Sequence, residues 1–268
     1  MPRPKGMKNK SQRFEKSVKE IVRKEIAEEI EEKHAIVEYD NVPLLPNIPS
    51  GVVLPGGGNF FKLMPNIEQS TTGEAGRAYN TRIGNEINLK SLDIKGFLNY
   101  EPNRAINLNN SKIGVRVMIL RAKEVNDQEL LFDNMPTDTL LRFGNLAVGS
   151  ANGVTDFGGF PLDSVRDINR DTFAVRYDKV HVLKADTVLS GTTSVTTTYT
   201  PSGLKMFSHK LTFGQNGLKL KYSSSVDTQA NNFPYFMVIG YVSLSANAIP
   251  NNNLIQTTFS CVGTYTDA

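Results

Sequence analysis

From residue 82 to residue 265 the chain is a succession of short segments in which apolar and polar residues alternate, and none carries a long helical period. A period of two puts apolar side chains on one face of a β-strand. Ile87 and Leu89 lead into Leu92, Ile94, Gly96 and Leu98, and the slip in phase near Ser91 predicts a β-bulge. Ile113, Val115, Val117 and Ile119 form the next segment, and a weak one follows around Leu140–Val148. Phe173, Val175 and Tyr177 run into Val180 and Val182 with a second slip near Asp178. Phe207, Leu211 and Phe213 alternate, and Gly214-Gln-Asn-Gly217 predicts a turn into Leu218, Leu220 and Tyr222. Tyr235–Leu244 and Ile255–Tyr265 complete about eight strands, joined by connectors rich in Asn, Gly, Ser and Thr.

This is an all-β pattern. Eight strands favour a single antiparallel jelly-roll sandwich over an immunoglobulin sandwich, although periodicity alone does not choose a topology. The connectors at about 123–170 and 186–202 are too long for plain turns, and such loops commonly carry function at one end of a sandwich. With 268 residues, 39% of them hydrophobic, the chain can bury a full core without staples. No apolar run approaches the eighteen residues of a membrane helix. The basic N-terminus has no apolar segment behind it, so no secretory signal is expected.

Charge divides the chain sharply. Residues 1–24 hold nine cations, Arg3, Lys5, Lys8, Lys10, Arg13, Lys16, Lys19, Arg23 and Lys24, against Glu15 and Glu20. Residues 25–34 hold five glutamates and Lys33, leaving 20 cations and 20 anions in the other 234 residues. A neutral body with a cationic arm implies a polyanionic partner for the arm. Phe14, Val18, Val22, Ile26 and Ile30 recur every four residues, which predicts an amphipathic helix over about 11–33. Its stripe is too narrow for a core, and Val18, Val22, Ile26 and Ile30 are expected to associate with copies of themselves. Five prolines and Gly56-Gly57-Gly58 mark residues 43–67 as an extended connector. The arm is therefore placed at 1–42 and the body, connector included, at 43–268.

Catalytic signatures fail on inspection, and no catalytic residue, metal or cofactor is expected. Leu54-Pro-Gly-Gly-Gly-Asn59 lacks the Gly-Lys-Ser/Thr of a phosphate loop. Asp133, Asp138, Asp156 and Asp163 lack calcium-loop spacing and read as solvated loop acids. His209 shares its phase with Phe207 and Leu211, which predicts a hydrogen-bonded core or interface histidine, while His181 lies on a mixed face. The single cysteine, Cys261, reads as a small buried apolar residue.

Four segments carry a resemblance. Arg82-Ile-Gly-Asn-Glu-Ile-Asn-Leu-Lys-Ser-Leu-Asp-Ile-Lys-Gly-Phe-Leu98 resembles the Arg-x-Gly turn and long bulged strand of capsid proteins from small circular Rep-encoding single-stranded DNA viruses, the circovirus-like group. Val115–Lys123 and Asn169–Leu183 are similar to later strands of that family, as is the ending Thr264-Tyr-Thr-Asp267. The resemblance implies a single jelly roll, an icosahedral shell of roughly sixty copies (T=1), and genome packaging by the arm. It also implies a virion protein that assembles in the host nucleus and meets a host receptor, without membrane insertion. The lysine-rich arm with an acidic second half departs from the family and is closer to satellite plant-virus capsids with RNA genomes. A non-viral jelly-roll binding module accounts for the body but not for the arm.

Overall fold

The computed structural model describes residues 14–19, 21, 32–48, 59–70, 80–101, 110–124, 139–144, 152–190 and 196–267, with backbone alone at 186–190 and 196–202. The fold is all-β, built from antiparallel sheets. Its strands are β1 (Lys33–Pro43), β2 (Phe60–Lys62), β3 (Glu68–Gln69), β4 (Thr81–Arg82), β5 (Glu86–Tyr100), β6 (Lys112–Ala122) and β7 (Leu141–Phe143). They continue as β8 (Gly153–Thr155), β9 (Phe173–Ser190), β10 (Thr196–Ser202), β11 (Lys205–Thr212), β12 (Leu218–Lys221), β13 (Tyr235–Ser243) and β14 (Ile255–Asp267).

Two five-stranded sheets dominate. One runs β1-β14-β5-β11, with β12 also on β5; the other runs β10-β9-β6-β13-β2. Four of the strand pairs nest: β1 lies on β14, the three-residue β2 on β13, β5 on β11 and β6 on β9. Every segment expected from alternation contributes a strand. The slip near Ser91 is a bulge, since Ser91 faces Thr264 and Leu89 faces Tyr265, leaving Lys90 unmatched. The second slip falls at Arg176, between Tyr177 and Val175, two residues before the expected Asp178.

The sheets meet across one core. Ile87, Leu92, Ile94 and Leu98 of β5 and Phe259 and Tyr265 of β14 pack against Val115 and Val117 of β6 and Ile239 and Tyr241 of β13. Each large side chain so buried contributes about 1.5–3 kcal/mol before conformational entropy is set against it. β13 is buried at all nine positions, which explains its unbroken apolar sequence. Its second face meets a separate cluster that includes Ile48, Leu140, Leu141, Phe157, Ile168 and Phe173. The described part of the 123–170 connector therefore covers a sheet, where a functional loop at the end of the sandwich was expected. Phe157 seats on Gly240, where an added Cβ would lie 2.6 Å from the ring.

Two expectations are corrected. The helix was expected to reach residue 33 and the arm residue 42, yet Lys33–Pro43 is an edge strand of the first sheet. Ala35 is buried and Val37 and Tyr39 pack on the core, a period of two that the preceding glutamates obscure. The connector is not wholly extended linker, since Phe60–Lys62 pairs with β13 and Leu63, Met64 and Ile67 are buried. The expected Gly214–Gly217 turn is present, with the Gly217 N–H donating to Gly214 O at 3.2 Å, and β11 and β12 on either side of it both run antiparallel to β5.

Candidate nucleic-acid interface

The described part of the arm is helical at 14–19 and at 21. Lys16 and Lys19 are exposed there. Phe14 is 72% exposed, Val18 41% and Ile21 57%, so this part of the stripe is not covered by the body. Arg3, Lys5, Lys8, Lys10, Arg13, Arg23 and Lys24 lie outside the described residues, as do Val22, Ile26 and Ile30.

The root of the arm is built in detail. Lys33 opens β1 opposite Tyr265 of β14. Its ammonium donates to Asp267 Oδ2 at 2.6 Å and to the Thr81 carbonyl at 3.4 Å. Asp267 Oδ1 accepts the Ile83 N–H at 3.1 Å, and Tyr265 donates its hydroxyl to Thr81 O at 2.9 Å. The pair is mostly buried, with side-chain exposures of 10% and 22%. It fixes where the chain leaves the sheet. Sequence reasoning missed both residues, because 234 positions separate them.

Arg82, at the head of the resemblance, is fully buried. It donates to the carbonyls of Ser224 and Asp227 at 2.8 and 2.9 Å, to Asn85 Oδ1 at 3.1 Å and to Gly84 O. Its guanidinium lies 4.0 Å above the Tyr222 ring, and burial lowers its pKa. Arg82 thus rivets the 223–228 loop to the root of β5 and is turned away from any phosphate. A comparable rivet lies on the other sheet. Arg116 grips both oxygens of Asp178 at 2.8 and 2.7 Å, and donates to the carbonyls of Asp163 and Arg166, each at 2.7 Å.

The catalytic candidates take structural places. Asp163, read as a solvated loop acid, is 1% exposed and accepts the N–H groups of Gly158 and Phe160. It organises the turn that Arg116 anchors. Asp156 takes Thr155 as neighbour, and Asp133 and Asp138 lie outside the described residues. No three metal-ligating side chains gather among the described residues.

His181 shares a 3.3 Å hydrogen bond with Tyr177, whose ring contacts His209 at 4.7 Å. His209 takes that ring contact in place of the expected hydrogen bond. Burial lowers the pKa of both histidines, and Lys179 and Lys205 lower that of His181 further. Cys261 is buried as expected, with its thiol pushed up to about 12 by burial and donating to Leu63 O at 3.2 Å. That poise is wrong for a nucleophile. No family model matches the chain, and no curated protein matches it in sequence.

Proposed function

We propose that the chain is the capsid protein of a small virus of the circovirus-like kind, a jelly roll that assembles into an icosahedral shell and packages single-stranded nucleic acid with its N-terminal arm. The nested strand pairing carries this reading. Setting aside the short pairs β3–β4 and β7–β8 and the strands β10 and β12, and counting β1, β2, β5, β6, β9, β11, β13 and β14 from one to eight, the pairs are one with eight, two with seven, three with six and four with five. Four antiparallel ribbons wound in this order make a jelly roll, an architecture shared by viral shells and by lectins. The basic arm separates those possibilities, since a sugar-binding module has no use for nine cations in 24 residues.

In this reading the arm neutralises phosphates without reading bases. Roughly sixty copies would bring on the order of 400 net arm charges, fewer than the phosphates of a kilobase-scale genome. Mobile cations or the inner face of the shell supply the rest. With seven net charges engaged, log K for a single strand falls with log salt at a slope of about −0.7 × 7, roughly −5.

Negative-stain electron microscopy of the full chain at low salt, with the 260/280 nm absorbance ratio on the same fraction, tests the proposal. Uniform shells rich in nucleic acid are expected, and removing residues 2–24 should empty them. Monomers or trimers across salt and pH overturn the reading. A salt slope near zero overturns the role of the arm.

A further inference from the structure

We infer that copies of this chain dock edge to edge, the acidic β1 margin of one body against the basic β9/β11 margin of the next. The inference rests on the shell reading and names the contact that builds the shell. Strand order sets the geometry. β1 and β11 bound opposite sides of one sheet. In the other, β2 bounds one side and β10 the opposite one, but β10 covers β9 only from Lys184 to Ser190 and, among the described residues, leaves the edge of its first part, 173–183, uncovered. Tyr39 joins β1 to β2 through Phe61, with ring centroids 5.1 Å apart, and Tyr177 joins β9 to β11 through His209 at 4.7 Å. The body thus has two lateral margins, and they differ in charge.

Along the β9/β11 margin Arg176, Lys179, Lys205 and Lys210 are all exposed. None of the four lies in an ion pair among the described residues. The acids nearby are taken: Asp178 holds Arg116 and Asp93 holds Lys95. Lys179 and Lys205 lie near enough to His181 for both to lower its pKa, after burial. Unpaired like charges gathered on one side raise the energy of the free body, and an acidic surface removes that cost.

The β1 margin is such a surface. Glu38 and Asp40 are exposed on it, and exposed Glu32 precedes the strand. In the sequence four more glutamates, at 25, 28, 29 and 31, come just before. Of the cations at this margin, Lys33 is held by Asp267. β1 is also an eleven-residue edge strand. Its acids block indiscriminate pairing and favour a basic neighbour. Contacts between unlike margins are head to tail, and they close into rings or shells when the rotation between copies allows.

A single-stranded nucleic acid is the rival occupant of the basic margin. Strand-binding surfaces set aromatic platforms among their cations. Here Phe207 is buried, and the Tyr177 ring is engaged by His209 and the core. A second copy fits better.

The test uses the full chain with Lys179→Glu/Lys210→Glu in one variant and Glu38→Lys/Asp40→Lys in another, at low salt, by sedimentation velocity. Circular dichroism checks the fold, and Lys179→Gln/Lys210→Gln stands in if the reversal unfolds the chain. Each variant alone should self-associate about tenfold more weakly than the wild type, or worse. An equimolar mixture should recover association into mixed oligomers, because each contact between unlike variants again joins an acidic margin to a basic one. Wild-type shells with no recovery on mixing overturn the docking and leave the capsid reading standing. Recovery on mixing without wild-type shells does the reverse. If Lys179→Glu/Lys210→Glu self-associates normally but binds an oligothymidylate more weakly, the margin belongs to nucleic acid and the inference fails.

Discussion

Replacing Arg116 by Met should unfasten the segment that covers the outer face of the β9-β6-β13 sheet. The side chain is 4% exposed and makes four hydrogen bonds, two to Asp178 and one each to the carbonyls of Asp163 and Arg166. Removing one member of a buried pair costs about 3–5 kcal/mol, mostly from the charge left behind. Asp178 is 32% exposed, so its stranded carboxylate can hydrate. The expected loss is therefore at the low end, about 3 kcal/mol. For a chain of this size that is a drop of roughly 6–12 °C in the melting temperature. Asp178→Asn should cost as much or more, because the stranded charge is then the better-buried guanidinium. The double variant Arg116→Met/Asp178→Leu should cost less than the sum of the two, since no charge is left alone. Differential scanning calorimetry reads the three values, and hydrogen exchange reads the opening of residues 158–170. A fall under 2 °C for Arg116→Met, with exchange unchanged there, would refute the view that this guanidinium holds the cover in place.

The histidines set a pH dependence. His181 and His209 have pKa values below the usual 6.5 because they are buried, so the unfolded chain binds more protons than the folded one just below that value. Their contribution is complete above about pH 6.5 and is lost as pH falls through their folded values. Melting temperature should drop from pH 7.5 to 5.0, and less steeply in His181→Asn/His209→Gln; equal slopes would count against this account. Gly217 has φ +72° and an added Cβ would lie 2.8 Å from the Leu89 carbonyl oxygen, whereas Gly214 at φ +76° has nothing within 4 Å. Gly217→Ala should cost more than the 1 kcal/mol or so expected of a strained turn alone, and more than Gly214→Ala, by urea midpoints. Ile26→Asp should weaken shell assembly and leave the melting temperature of the body unchanged; unaltered assembly removes self-association of the arm stripe.

Strands were legible where burial has a period. β5 and β14 alternate because one face is solvated, and β6 and β13 read as apolar runs because both faces are covered. β1 was hidden by its own charge, since a glutamate-rich helical pattern runs into its start and its inward residues include the small Ala35. β2 is three residues inside a Pro/Gly-rich stretch, and β10 is a threonine run with no apolar alternation. The cover over β13 had no signature because its anchors, Ile48, Leu140, Phe157 and Ile168, come from scattered positions. The rivets were illegible for a related reason. Arg116 and Asp178 are 62 residues apart, and only the register of β6 on β9 brings them together. At the site, the arm's cations stand out as local composition, while Lys33 and Asp267 are joined only by the pairing of β1 with β14.

The same pairing gathers the charges at the root of the arm. Lys33, Glu86, Lys221 and Asp267 converge at one end of the first sheet because the starts of β1 and β5 meet the ends of β12 and β14. The charges there are neutralised locally, Lys33 by Asp267 and Glu86 by Lys219, with Lys221 at 4.0 Å. With Lys33, Lys219 and Lys221 against Glu86 and Asp267, this end keeps a single net positive charge and draws nucleic acid against the body only weakly. In the capsid reading proposed above, the dense positive charge offered to phosphate therefore lies in residues 1–24, on the far side in sequence from the glutamates at 25, 28, 29, 31 and 32.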